Sequence, residues 1–291
     1  MKLFIYHTGH TGYVHSIIEA LAEFVEVRSS PDAECDAFLS LQMGHHAELI
    51  HLCRSFPHIK FITYVWDCYD WIWEHGRGYD WKGYGELCQV SDEVWVPSQS
   101  QVLRLKQHWG IEKYDIVKCY AQYFDSDNVR DDDYVCNPLR EIPDNHLGWI
   151  EKACQELEIP YQHGGRKKGE TGRTWDEYKD FISGASFIVC PWYEASTGGM
   201  SLLEGYNLGK EVLICNSPYM GAKDYFGDRA NYYEPIYNDF KRMLQILWSQ
   251  RYSFPSKPLE DKKEFCQEFT VEKMAERMYN KLCRITSSKN T

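Results

Sequence analysis

The stretch richest in usable chemistry runs from Phe187 to Asn216, FIVCPWYEASTGGMSLLEGYNLGKEVLICN. Its residue types read as strand, glycine turn, helix, strand. Phe187–Cys190 is a short apolar run, and Trp192 and Glu194 follow it. Thr197-Gly198-Gly199 then opens a helix from about Met200 to Leu208. Gly209 stops the helix ahead of a second buried run, Val212–Cys215. A glycine turn feeding a helix leaves unpaired N–H groups and the positive end of the helix dipole facing outward, which suits a phosphate or sugar oxygen. Glu204 lies one turn further in, within reach of the hydroxyls of anything bound there. Taken alone, the same residues equally describe a tight connection followed by a solvated glutamate.

The neighbourhood decides between these readings. Pro191, Glu194, the glycine pair, Glu204, Gly209 and the following strand, in that order, resemble the donor site of retaining GT-B glycosyltransferases. This is the group 1 family that includes glycogen and sucrose synthases. Its pattern is Pro-Ser, an acid, a glycine turn, Leu-Glu-Ala on a helix, and Gly before a strand. In that family the second acid holds the ribose of a nucleotide, the first contacts the sugar, and the turn holds phosphate and sugar. The resemblance implies Glu204 as the ribose acid, with Gly198, Gly199, Met200 and Ser201 lining the turn and Glu194 a candidate beside the sugar. One feature departs from the pattern: nine residues separate Glu194 from Glu204, more than the family usually has.

The chain as a whole fits the same frame. Leu3–Tyr6 reads as a first strand, and the loop His7–Gly12 leads into a helix from Tyr13 to Phe24, as a Rossmann-like half begins. The full GxGxxG pattern is absent. In the resembled family this loop faces donor and acceptor, which implies Gly9 as a donor contact and His10 as a catalytic candidate; a plain surface histidine is the alternative. Val25–Val27, Ala37–Leu41 and Lys60–Val65 read as strands, with a helix over Ala47–Phe56. Where the family often carries a His close to the transferred sugar, this chain has Trp66, followed by Asp67 and the rings of Tyr69, Trp71 and Trp73. Either Asp67 takes the polar role or these rings form a hydrophobic cap. His75–Trp81 reads as a Gly-rich acceptor flap. Glu93–Pro97, a helix over Gln99–Trp109 and Asp115–Cys119 resemble the closing unit of the family's first domain.

Asp125 to Asp133 is charged and aperiodic, and reads as an interdomain linker. Asp125 and Asp127 offer carboxylates to Mg²⁺ or Mn²⁺, as in GT-A enzymes, but they do not follow an apolar strand, and a solvated linker is the better account. Beyond it, Tyr134–Cys136, Arg140, a helix from Asp144 to Glu158 and Ile159-Pro160-Tyr161 resemble the family's first β–α unit of the donor domain. There an Arg and a Lys neutralise the donor diphosphate. Arg140 matches the Arg, while Asn145 occupies the Lys position. The resemblance then implies a second cation from Arg166, Lys167, Lys168 or Arg173; a solvated basic turn is the alternative. Thr174 caps a helix over Trp175–Ile182. Amphipathic helices over Asp239–Gln250, Asp261–Phe269 and Val271–Ile285 complete the chain.

Composition sets the outer limits. At 291 residues the chain has room for two domains, and 43% hydrophobic with 26% charged residues is ordinary for a globular protein. Ten Trp and twenty-one Tyr supply many rings, for cores and for stacking on sugars or bases. A net charge of −11 argues against a protein whose main work is gripping nucleic acid. Eleven Cys without zinc spacing, and no leader-like segment, point to reduced thiols and a cytoplasmic location. No apolar run is long enough to span a bilayer.

These readings converge on an α/β protein of the GT-B class: two Rossmann-like domains facing a cleft. The expected boundaries are 1–125 for the acceptor domain and 134–270 for the donor domain, with a C-terminal helix over about 271–291 crossing back to the first. The resemblance implies transfer of a hexose or pentose from a UDP- or GDP-sugar to an acceptor hydroxyl. It also implies retained configuration, no metal and no cofactor beyond the nucleotide sugar as co-substrate. The acceptor would be a glycan, a small molecule or, as a minority idea, a hydroxylated base of viral DNA. The alternatives are a GT-B epimerase or hydrolase of nucleotide sugars, a metal-dependent GT-A-like transferase using Asp125 and Asp127, or a module that binds UDP or GDP without turnover. Asp67, His10 and Glu194 are the catalytic candidates.

Overall fold

Short apolar runs separated by helices bury both faces of their strands only in a parallel sheet covered on each side. The computed structural model contains two such sheets. It describes residues 1–7, 12–41, 45–66, 80–123, 131–138, 147–164, 173–190, 199–252 and 259–287. The first sheet is formed by β1 (Lys2–Tyr6), β2 (Glu26–Arg28), β3 (Ala37–Ser40), β4 (Lys60–Tyr64), β5 (Glu93–Val96) and β6 (Tyr114–Ile116), in the order β2-β1-β3-β4-β5-β6. The second is formed by β7 (Val135–Asn137), β8 (Tyr161–His163), β9 (Phe187–Cys190), β10 (Glu211–Cys215) and β11 (Asn231–Tyr233), in the order β11-β10-β9-β7-β8. Every pairing in both is parallel. The chain divides into two compact units, one comprising Met1–Tyr120 with Phe269–Thr291 and the other Ala121–Glu268.

In the first unit, Leu3, Ile5, Leu39 and Ile62 of the sheet meet Ile17 and Leu21 of the helix Gly12–Ala22. The last helix, Val271–Ser287, carries Met274, Ala275, Met278, Leu282 and Ile285 on one stripe and lays it into this same core. Arg284 anchors its far end, donating to Glu93 (2.9 Å) and Asp115 (2.7 Å).

One helix of this unit is not legible in the hydrophobic pattern. The Gly-rich stretch read as a flap ends in a helix, Trp81–Val90, whose N-cap Asp80 accepts from the Gly83 N–H at 2.9 Å. Gly83 and Gly85 sit inside it at a propensity cost of about 1 kcal/mol each. Close approach requires both. A Cβ on Gly83 would lie 2.1 Å from His46 Nε2, and one on Gly85 would lie 2.5 Å from Trp109 Cδ1.

In the second unit, β9 lies at the centre, buried along its whole length. The connections β8→β9 and β9→β10 both advance across the sheet in one direction. Right-handed crossovers therefore put the helices Trp175–Gly184 and Met200–Asn207 on the same face. Gly205 lets the second of these settle closely, since a Cβ there would lie 1.9 Å from Ile188 Cδ1. The helix Leu259–Gln267 covers it from outside. Its Lys262, wholly buried, donates to the carbonyls of Gly209 (2.8 Å) and Lys210 (3.1 Å) and to Glu211 Oε1 (2.8 Å). A buried cation at the C-terminal end of a helix meets the negative end of the dipole and the orphan carbonyls there.

Among the described residues, no helix is long and apolar enough to cross a membrane.

Candidate functional site

In a parallel sheet each helix that follows a strand starts at the carboxyl edge, where open α/β sheets hold their ligands. At that edge of the second unit, Gly199 is the N-cap of Met200–Asn207. Its backbone is left-handed, with φ 68°, a conformation glycine adopts without strain. Its carbonyl accepts from the Leu202 and Leu203 N–H groups at 2.9 and 3.0 Å and so begins the helical ladder. The N–H groups of the first turn project outward by helix geometry. Met200, which is partly exposed, and Ser201 flank this turn.

Glu204, one turn in, is 7% exposed and not a solvated helix residue. The Tyr178 hydroxyl donates to its Oε2 at 2.8 Å, and the backbone N–H of Gln122 lies near enough to the same carboxylate to favour its charge. Burial pushes the Glu204 carboxyl up to about 7, and the Tyr178 hydrogen bond and the nearby Gln122 N–H pull against that rise. Tyr178, half-buried, has its phenol raised well above the usual value by burial and by the neighbouring Glu204 charge. The nearby Ser201 side chain pulls that phenol the other way. A carboxylate dehydrated in this way and held by one hydroxyl donor keeps acceptor capacity for further hydroxyl groups.

The Trp175–Gly184 helix that supplies Tyr178 is fixed by a capping box: Thr174 Oγ1 accepts from the Glu177 N–H, and Glu177 accepts from the Thr174 N–H at 2.7 Å. Trp175, its first residue, is 48% exposed and stacks on Tyr178, with ring centroids 5.8 Å apart and planes 28° apart. At the end of β8, Arg173 donates to the His163 carbonyl at 3.2 Å and lies 4.4 Å from the Phe181 ring centre. Gly164 is set by packing: a Cβ there would lie 2.1 Å from Phe181 Cε1.

Apart from Arg173, whose contacts are with His163 and Phe181, the sequence candidates fall into two groups. Gly199, Met200, Ser201 and Glu204 come together on one helix start. Gly9, His10, Asp67, Asp125, Asp127, Arg140, Asn145, Arg166, Lys167, Lys168, Glu194 and Gly198 lie outside the described residues. Of the acidic linker, Asp131 accepts from Ser186 Oγ at 2.6 Å, while Asp133 accepts from Arg251 Nε at 3.0 Å and from the Tyr252 hydroxyl. Both are thereby engaged in structural bonds. Trp66, at the end of β4, is likewise structural: its Nε1 donates to the Leu41 carbonyl at 2.8 Å and its ring packs on Tyr64 and Tyr13. Tyr178 and Gln122 were missed by the sequence reading. No local pattern marks them, since Tyr178 precedes Glu204 by 26 positions.

No protein-family model matches the chain, and no curated protein matches it by sequence. Solved structures do match in fold. A glycosyltransferase from Rickettsia africae superposes with a TM-score of 0.68 at 13% identity, covering 100% of this chain and 99% of that one. Sucrose-phosphate synthase from Thermosynechococcus elongatus gives 0.67 at 14% identity, covering 99% of each. HepE from Anabaena, solved in complex with UDP and glucose, gives 0.66 at 12% identity, covering 97% of this chain and 99% of that one. With its two parallel sheets and its last helix returned to the first unit, the chain has the GT-B fold of these glycosyltransferases.

Proposed function

We propose that this protein is a glycosyltransferase that moves a sugar from a nucleotide-sugar donor to an acceptor hydroxyl. One observation carries the reading: a buried glutamate, hydrogen-bonded by Tyr178, one turn behind a left-handed glycine at the start of a helix. It sits at the carboxyl edge of the sheet, in a chain whose fold is shared along its whole length with glycosyltransferases. Glu204 would accept from the ribose hydroxyls. The turn at Gly198–Ser201 would meet the charge that develops on the leaving diphosphate, with the helix dipole behind it.

In this reading Arg140 is one cationic partner of the diphosphate, and one of Arg166, Lys167, Lys168 or Arg173 is the second. Dipole and cations together replace a metal. The donor is UDP- or GDP-linked, a reading supported by the UDP and glucose bound in the HepE structure. Gly9, His10, Asp67 and Glu194 are the proposed contacts around the transferred sugar, and the configuration is retained. The acceptor domain is the first unit with the last helix.

A thermal-shift screen of UDP-, GDP- and other nucleotide sugars, followed by acceptor trials with the best donor, tests the proposal. A donor that raises the melting temperature, and sugar appearing on an acceptor, is the expected result. Donor hydrolysed or epimerised with no acceptor product would point to the epimerase or hydrolase alternative. No response to any nucleotide would refute donor binding altogether.

A further inference from the structure

Trp175 is among the most exposed large apolar side chains of the described residues, at 48%, and it begins a helix fixed by a capping box. It does not stand on an arbitrary face. The helices Trp175–Gly184 and Met200–Asn207 follow β8 and β9, so both begin at the carboxyl edge of the sheet and on the same face. Trp175 stacks on Tyr178, and the Tyr178 hydroxyl bonds Glu204 at 2.8 Å. The span from the indole to the carboxylate is thus one phenol ring and one hydrogen bond. A nucleoside has the same order of size, its base separated from its 2′- and 3′-hydroxyls by one furanose ring.

We propose that Trp175 is the shelf on which the nucleobase of the bound nucleotide lies, with Tyr178 joining that shelf to the ribose acid Glu204. The inference rests on the reading of Glu204 as the ribose acid. A planar base has a π-face whatever its edge, so an indole shelf favours nucleotides over ribose phosphates without choosing between uracil and guanine. Tyr178 fixes the register. It braces the indole from one side and directs the carboxylate from the other, so base and ribose are engaged by a single rigid element.

The test uses the full chain and four proteins: parent, Trp175→Ala, Trp175→Phe and Glu204→Gln, each titrated with UDP and with GDP. Trp175→Ala should weaken the better-bound nucleotide by about 5- to 150-fold, the range that base–aromatic stacking gives on alanine substitution. Trp175→Phe, which keeps a ring, should retain most of the affinity. Nucleotide binding should quench tryptophan fluorescence in the parent, and much of that quenching should vanish in Trp175→Phe. This second readout stands even if the alanine variant folds poorly. Parental affinity in Trp175→Ala, or undiminished quenching in Trp175→Phe, overturns the shelf while weakened binding in Glu204→Gln leaves the donor site standing. Parental affinity in Glu204→Gln, or no nucleotide binding by the parent, overturns the donor site and the shelf with it.

Discussion

Replacing Glu204 by Gln removes a charge from a site that water barely reaches, and its effect on the ligand-free protein should depend on pH. Burial raises the carboxyl from an ordinary 4.5 to about 7, so the folded protein binds this proton more tightly than the unfolded chain does. The folded value lies above the unfolded one for an acid, so the group destabilises the fold as pH rises from about 4.5, and the penalty is complete above about 7. At roughly 1.4 kcal/mol per pH unit, ionised Glu204 costs the native state about 3 kcal/mol at pH 8, and less than about 1 kcal/mol at pH 5. Gln keeps the volume and an acceptor for Tyr178. Urea denaturation of both proteins at the two pH values isolates the difference, because every other titrating group cancels between them. The advantage of Glu204→Gln should grow by about 2 kcal/mol from pH 5 to pH 8. The same substitution should weaken nucleotide binding at pH 8 by about 1.5–3 kcal/mol for each charged hydrogen bond lost. A protein made more stable and a poorer binder is the signature of a site kept for function. A difference that does not change with pH would refute the burial of this carboxylate and the reasoning built on it.

Lys262→Met should cost about 3–5 kcal/mol, because Glu211 and two helix-end carbonyls lose their buried cation; a melting temperature within a degree or so of the parent would show that the lysine is dispensable. Gly205→Ala should cost about 1–3 kcal/mol by driving a methyl into Ile188, read as a lowered melting temperature; an unchanged one would mean that the helix is not seated on β9 as described. Transferase activity should survive EDTA, since the helix dipole and Arg140 are proposed to neutralise the diphosphate; loss on chelation with recovery in Mn²⁺ would move the chemistry to the linker aspartates. Among Arg166, Lys167, Lys168 and Arg173, one alanine variant should lower donor turnover nearly as much as Arg140→Ala, assayed at saturating acceptor. Four parental rates would leave the basic turn a solvated loop.

Where structure is dictated locally, the sequence alone was sufficient. Phe187–Cys190 is a strand and Met200 begins a helix because an apolar run, a left-handed glycine and a stop at Gly209 lie within one short stretch. Thr174 and Glu177 announce their helix by the capping box they form. The stripe from Met274 to Ile285 declares a buried helix face by its spacing. The order of such elements was enough to indicate the GT-B fold, which the solved structures share. Other features depend on residues brought together from afar. The helix Trp81–Val90 was missed because its two glycines argue against it, and their reason lies in His46 and Trp109, on other elements. Nothing local in the sequence explains Gly164, yet the Phe181 ring leaves it no room for a side chain. Glu204 reads equally well as solvated or as a binding acid. Only the crossover that lays two helices on one face buries it, sets Tyr178 against it and raises its pKa, because desolvation and hydrogen-bond partners belong to the packed interior and not to any run of residues.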